Sequence, residues 1–174
     1  MDNQKVKDFF TSFGFWMFVG SIAIVVAIIF GSTAYQKSVI SADEAKTSRE
    51  VALTCTTDMA TQFHIHPHLS IVINGVDQKI PANIGITSVC MNSIHTHDDS
   101  GTLHIEAPVK KDFTIGDFFA VWDKQFNKNQ VLDYKADSTH IVTISVNDKL
   151  VDTFENTVIN DVDKIVIEYK TQKN

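Results

Sequence analysis

Residues 9–36 form 28 consecutive positions without a charge, and positions 13–30 are almost wholly apolar. At 1.5 Å per residue, about 20 such residues cross a hydrocarbon core of about 30 Å. A buried core helix seldom runs this long without a polar face. The stretch therefore predicts a single transmembrane helix or uncleaved signal anchor followed by a separate domain. Trp16 and Tyr35 lie near its ends, where amphipathic rings favour the membrane interface. A cleavable signal peptide is the alternative, because Ser32-Thr-Ala34 resembles a small-residue cleavage site. Against it, the apolar region exceeds the usual ~7–15 residues of a signal peptide. Lys5 and Lys7 precede the helix and only Lys37 follows closely, which favours a cytoplasmic N-terminus. Both readings place residues 37–174 outside the cytoplasm, at a cell membrane whose bilayer is the partner of the helix.

The rest divides by composition. Residues 1–36 are a tail and the transmembrane helix. Residues 37–54 form a polar stalk, in which Ser41-Ala-Asp-Glu-Ala-Lys-Thr-Ser-Arg-Glu50 has no aromatic residue and suits either a helix or a flexible spacer. Residues 55–174 are the remaining domain. Apolar and charged fractions of 44% and 21% are those of a globular chain. A net charge of −6 without a basic run argues against a nucleic-acid partner.

Within 55–174 the period is mostly that of strands. Positions 63–73 alternate, with Ile65, Leu69, Ile71 and Ile73 on one parity and His64, His66, His68 and Val72 on the other. Asn74-Gly75 is a hairpin signal, with Gln78-Lys-Ile-Pro81 returning. Asp99-Ser-Gly101 reads as a turn into a strand over 102–106. Thr114 is a plausible N-cap with Asp117 three residues on. Phe118, Phe119, Val121 and Trp122 then predict a short amphipathic helix ending near Phe126. Strands follow at 140–146, 150–154 and 164–169, with a turn at Asn147-Asp-Lys. The fold class is α+β: one transmembrane helix, then a mostly antiparallel, β-rich ectodomain with one short helix.

Six of the seven histidines fall within 41 residues, where random scattering would put about two. A strand sends residues i and i+2 to one face. His64, His66 and His68 therefore share a face, as do His95 with His97 and His104 with Glu106. Any one histidine on a strand is usually an ordinary polar residue. Three same-face pairs in one short region instead point to metal ligation. Neutral imidazole is a good ligand for zinc, copper, iron and nickel. A His-x-His pair plus a third histidine makes the open three-ligand arrangement of a catalytic zinc site. The candidate ligands are His64, His66, His68, His95, His97 and His104. Asp98, Asp99 and Glu106 are candidates to ligate or to fix ring tautomers. Pro67, lacking an N–H, suits an edge or a bulge, where a site stays open. His140 lies outside the cluster and reads as structural. Copper and zinc both fit a histidine shell, and Met59 and Met91 lie nearby in sequence.

Cys55 and Cys90 each lead into one half of the histidine set. Outside the cytoplasm the default is a Cys55–Cys90 disulfide; a cysteine ligand, as in a two-histidine, one-cysteine copper site, is the alternative. The absence of C-x-x-C disfavours a thioredoxin-type pair. There is no Gly-rich phosphate loop and no nucleophile elbow.

The strings His64-Ile-His-Pro-His-Leu-Ser-Ile-Val-Ile-Asn-Gly75, Ile80-Pro-Ala-Asn-Ile-Gly-Ile86, His95-Thr-His-Asp98 with Ser100-Gly-Thr-Leu-His-Ile-Glu106, and Phe113-Thr-Ile-Gly-Asp-Phe-Phe119 resemble a family of small membrane-anchored proteins of ammonia-oxidising archaea and some bacteria. The resemblance covers about residues 55–170. It implies a distinct domain in a copper-rich extracytoplasmic setting and nominates no catalytic residue. A loose disulfide-isomerase label carried by some members is not supported by this cysteine spacing.

Three functions fit these residues. The first is a copper- or zinc-binding module for metal handling. The second is a metalloenzyme with an open coordination position, hydrolytic or redox. The third is a structural metal closing the fold. The first is favoured, because nothing in the sequence nominates a substrate pocket.

Overall fold

Strict alternation buries Ile165, Ile167 and Tyr169 along the last strand of the chain, and that strand organises the largest sheet. The computed structural model describes residues 3–57 and 61–172. Met59 lies outside the described residues, as do the side chains of Lys5, Lys7 and Trp16. The chain divides into two compact units, Met1–Ala42 and Asp43–Asn174. Helix α1, Asn3–Glu44, supplies the first. Its span Val19–Glu44 is long and apolar enough to cross a membrane. Ile22, Ile24, Val25, Ile28, Ile29 and Phe30 on it are all exposed rather than packed into a protein core.

The second unit is α+β. In chain order come α2 (Ser48–Leu53), β1 (Cys55–Thr56), β2 (Phe63–Ile65), β3 (His68–Ile73), β4 (Val76–Gln78), β5 (Met91–Asn92), β6 (Ile94–His95), β7 (His104–Ala107), α3 (Ile115–Val121), β8 (Phe126–Asn127), β9 (Gln130–Val131), β10 (Tyr134–Lys135), β11 (His140–Val146), β12 (Lys149–Val151) and β13 (Lys164–Thr171). A 3-10 turn, Phe154–Asn156, precedes β13. The largest sheet has the order β12-β11-β13-β3-β4, parallel only between β13 and β3. A second sheet, β2-β7-β6, is antiparallel throughout. Two-residue turns at Asn74-Gly75 and Asn147-Asp148 close the two hairpins with positive φ at both positions, the geometry that matches strand twist.

Several elements depart from their expected limits. The run 63–73 is two strands. Pro67 has no N–H to continue a ladder, and the chain changes sheets there: β2 pairs with β7, and β3 with β13. The backbone groups at the break remain satisfied. His66 N–H donates to Asp161, His68 N–H to the Asp163 carbonyl, and the Pro67 carbonyl accepts from Leu103. The returning strand is β4, ending at Gln78 rather than beginning there, and the expected strand at 150–154 is β12 followed by the 3-10 turn. The polar stretch 37–54 also divides. Its first part continues α1, while 48–53 is α2, capped by a Thr47/Glu50 box and burying Val51 and Ala52 in the core.

Helix α3 starts at Thr114 as expected but stops at Val121. Asp123 adopts a left-handed φ of 57°, and the N–H groups of Lys124 and Asp123 return to the carbonyls of Phe119 and Ala120. This is a Schellman closure with Asp at the position usually held by Gly. Phe113, Phe118 and Phe119 are buried around the helix. Asp117 ties α3 to α2: one carboxylate oxygen accepts from the Thr114 N–H at 2.9 Å, the other from Arg49 Nε at 2.6 Å. Asp117 is buried while Arg49 is half-exposed, so solvent screening discounts the pair. Replacing Asp117 by Ala is expected to cost about 2 kcal/mol in urea unfolding, from the lost cap and the charged hydrogen bond together. A cost below about 0.5 kcal/mol, the level of an ordinary surface change, would show that this contact is not structural.

Candidate metal centre

The β2-β7-β6 sheet brings the histidines together through its register. On β7, His104 and Glu106 lie two residues apart and so share a face. Glu106 is opposite His64 of β2, and His104 is opposite His95 of β6. His66 and His97 extend the two outer strands on the same parity. Ile65, Ile94 and Ile105 pair on the other parity, with Ile94 and Ile105 wholly inaccessible. One face of this small sheet is hydrophobic core, and the other is imidazole.

His104 occupies the middle. Its ring centroid lies 4.5 Å from that of His97, 4.6 Å from His66, 5.5 Å from His95 and 6.3 Å from His64. Ligand atoms of His95, His97, His104 and Glu106 lie within 4.8 Å of one another, and so do those of His64, His66 and His104. Both sets are geometrically able to hold a metal ion. The first reaches inward through buried His95, whereas His64 and His66 are exposed.

Hydrogen bonding prepares the inner set. His95 Nδ1 lies 3.0 Å from the Asn92 carbonyl, which only accepts. In the neutral ring the proton is therefore on Nδ1, and Nε2 keeps its lone pair. That Nε2 lies 3.2 Å from His97 Nε2. Two nitrogens each ~2.0–2.1 Å from one tetrahedral zinc would be about 3.3 Å apart. Nδ1 of His104 is buried without a hydrogen-bond partner among the described residues. Such orphaned atoms are rare in native proteins, and a missing ion is one of their standard explanations. Burial also pushes His95 and His104 below the ordinary imidazole range, aided for His104 by His97 and His66. Both rings are thereby kept neutral, the form that binds metal.

Five of the six candidate histidines converge. The sixth, His68, belongs to β3 and lies beyond the sheet change at Pro67; its Nε2 meets the Ser100 carbonyl at 3.0 Å. Gly101 makes this turn possible, with φ of 89° and a backbone so close that an added Cβ would lie 2.4 Å from the Leu69 carbonyl. Asp98 is held by the Ser100 N–H at 2.9 Å, and Asp99 pairs with Lys79 at 2.9 Å. Their carboxylates are thus engaged within and beside the turn. Glu106 stands among the ligands instead, with Oε1 3.0 Å from His64 Nε2. His140 is stacked flat on Tyr169 at 5.0 Å and lies beside Asp137, away from the cluster. Sequence reasoning missed the Asn92 carbonyl, because a backbone acceptor leaves no mark in residue type.

Cys55 and Cys90 form a disulfide with a Cα separation of 5.4 Å, so neither is a ligand. The bridge closes the β1–β5 ladder, in which Cys55 is opposite Asn92. Asn92 also donates its side-chain amide to the Ala52 carbonyl at 3.0 Å. The bridge, α2 and the His95 tautomer therefore meet at one residue. Comparison with models of known protein families, with curated proteins and with solved structures finds no match.

Replacing both cysteines by Ser should lower stability by about 3–4 kcal/mol on the loop-entropy model, read by urea unfolding of the oxidised protein. Equal stability of the two forms would remove the bridge from this role. For the metal-free protein, the lowered values of His95 and His104 set the sign of the pH dependence. Between their folded values and the ordinary 6.5, the unfolded chain binds more protons than the folded one. This contribution is complete above pH 6.5 and is lost as pH falls below it, levelling off beneath the folded values. Unfolding measured in chelator from pH 8 to 5 should follow that course, and His104→Ala should flatten it.

Proposed function

We propose that this chain is a membrane-anchored, extracytoplasmic protein that binds copper or zinc and serves in metal handling. The observation that carries this reading is the convergence of four imidazoles and Glu106 around a fifth, His104, whose buried Nδ1 has no hydrogen-bond partner among the described residues. Copper is favoured by its leading affinity for nitrogen ligands among divalent ions, while zinc suits the same donors. The apolar span in α1 supports anchoring. The disulfide supports an oxidising compartment. Lys5 and Lys7 ahead of the span favour a cytoplasmic N-terminus.

Binding is favoured over catalysis by two cavities among the described residues that open away from the cluster. One of about 270 Å³ sits between β3, β4 and the Asp99–Gly101 turn, and another of about 350 Å³ borders α3. No imidazole lines either. A purely structural ion is disfavoured because His64, His66 and His97 are exposed, whereas a structural shell is closed and saturated.

The test uses the full chain in neutral detergent, stripped of metal and titrated with Cu(II) or Zn(II) against a chelator of known affinity. Binding tighter than micromolar is expected. His104→Ala should weaken it by roughly 100-fold or more, at least the upper range for losing even an outer-sphere partner. His68→Ala and His140→Ala should leave it unchanged. Absence of binding above micromolar competition would overturn the reading.

A further inference from the structure

We propose that the centre holds two metal ions at once, with His104 as the ligand they share. The inner ion would be held by His95, His97, His104 and Glu106, and the outer by His64, His66 and His104. This inference rests on reading the cluster as a metal centre and adds its stoichiometry and division of labour.

Among the described residues the candidate ligands fall into two sets that share His104, with Glu106 of the first also reaching His64 of the second at 3.0 Å. A single-ion site would need one set and leave the other two imidazoles idle. The sheet register instead supplies a complete pair on each side of β7: His95 with His97 from β6 and its extension, and His64 with His66 from β2 and its extension. One ring of each pair stands close to His104 and nearly perpendicular to it, at 89° for His66 and 80° for His97, while His95 stacks on it at 16° and His64 is tilted at 38°. An imidazole has a nitrogen on each of two edges, and either can ligate when it carries no proton. Nδ1 of His104 has no hydrogen-bond acceptor among the described residues, the Glu106 carboxylate standing off at 4.0 Å. Sharing the ring between two ions requires both nitrogens to be free, so the ring proton passes to solvent as the second ion binds. The anionic ring and Glu106 then offset part of the charge of the two cations.

The two positions differ in access. The inner set has one wholly buried ring, His95, whose tautomer is set by Asn92, beside the exposed His97, whereas His64 and His66 are both exposed. The inner position is suited to retention and the outer one to exchange with solvent or a donor.

The experiment titrates the metal-free full chain in detergent with Cu(II), counting bound ions by native mass spectrometry and recording the electron paramagnetic resonance signal. Two ions per chain are expected. The signal per copper should be attenuated in the two-copper form, because the shared ring couples the spins. His64→Ala with His66→Ala, both at exposed positions, should reduce the count to one and restore the full signal per copper. His95→Ala with His97→Ala should also leave one. A single ion per chain, unchanged by losing His64 and His66, would overturn the two-ion inference while leaving metal binding intact. Two ions with full, uncoupled signals would overturn the shared ligand. Failure to bind any ion would overturn both this inference and the reading beneath it.

Discussion

The pairing of β7 with a strand on each side is the constraint on which the rest depends. It sets His104 opposite His95 and Glu106 opposite His64. Because side chains alternate with a period of two, a slip of one residue in either ladder would send imidazoles toward the core and isoleucines to the open face. Register is therefore enforced from below. Ile94 and Ile105 are both inaccessible, and fully burying a side chain of this size is worth about 1.5–3 kcal/mol. The hydrophobic face holds the alignment, and the polar face inherits it.

That inheritance explains how so many imidazoles are brought side by side. Two imidazolium charges at the 5.5 Å ring separation of His95 and His104 would repel by about 3 kcal/mol at an effective dielectric of about 20. Burial of His95 adds a further penalty on its charged form. The core pairing and the backbone acceptor at Asn92 bring neutral rings into contact, where protonation is opposed and cation binding is favoured. A cation supplies to several lone pairs at once what separate protons supply only with mutual repulsion.

The surrounding elements fix the borders of the face. Pro67 ends β2 and sends the following strand into the larger sheet, which removes His68 from the cluster while leaving His66 in it. The disulfide and the Asn92 amide lock β5, the strand just before β6, to the end of α2 and the segment that follows it. Arg49 and Asp117 join α2 to α3, and α3 packs against β6 from the core side. The inner histidines are thus held from behind by covalent and ionic ties, and the outer pair is held mainly by its short ladder.

Much of this was legible in the chain itself. The uncharged run at 9–36 marked a long apolar helix by its length and unbroken hydropathy, and a helix spans it. The period-two patterns at 140–146 and 164–169, the turn residues Asn74-Gly75 and Asn147-Asp148, and the Thr114/Asp117 box are local signals, and the elements form where they stand. The same-face pairs His95/His97 and His104/Glu106 follow from strand geometry alone. What joins those pairs is long-range pairing. It places His104 between two outer strands, brings Glu106 among the ligands, engages Asp98 and Asp99 in and beside a turn, and gives His95 the Asn92 carbonyl. Sequence determined which residues could share a face; only the tertiary structure decided which faces meet, because register is set by burial of Ile65, Ile94 and Ile105, contributed by three separate strands.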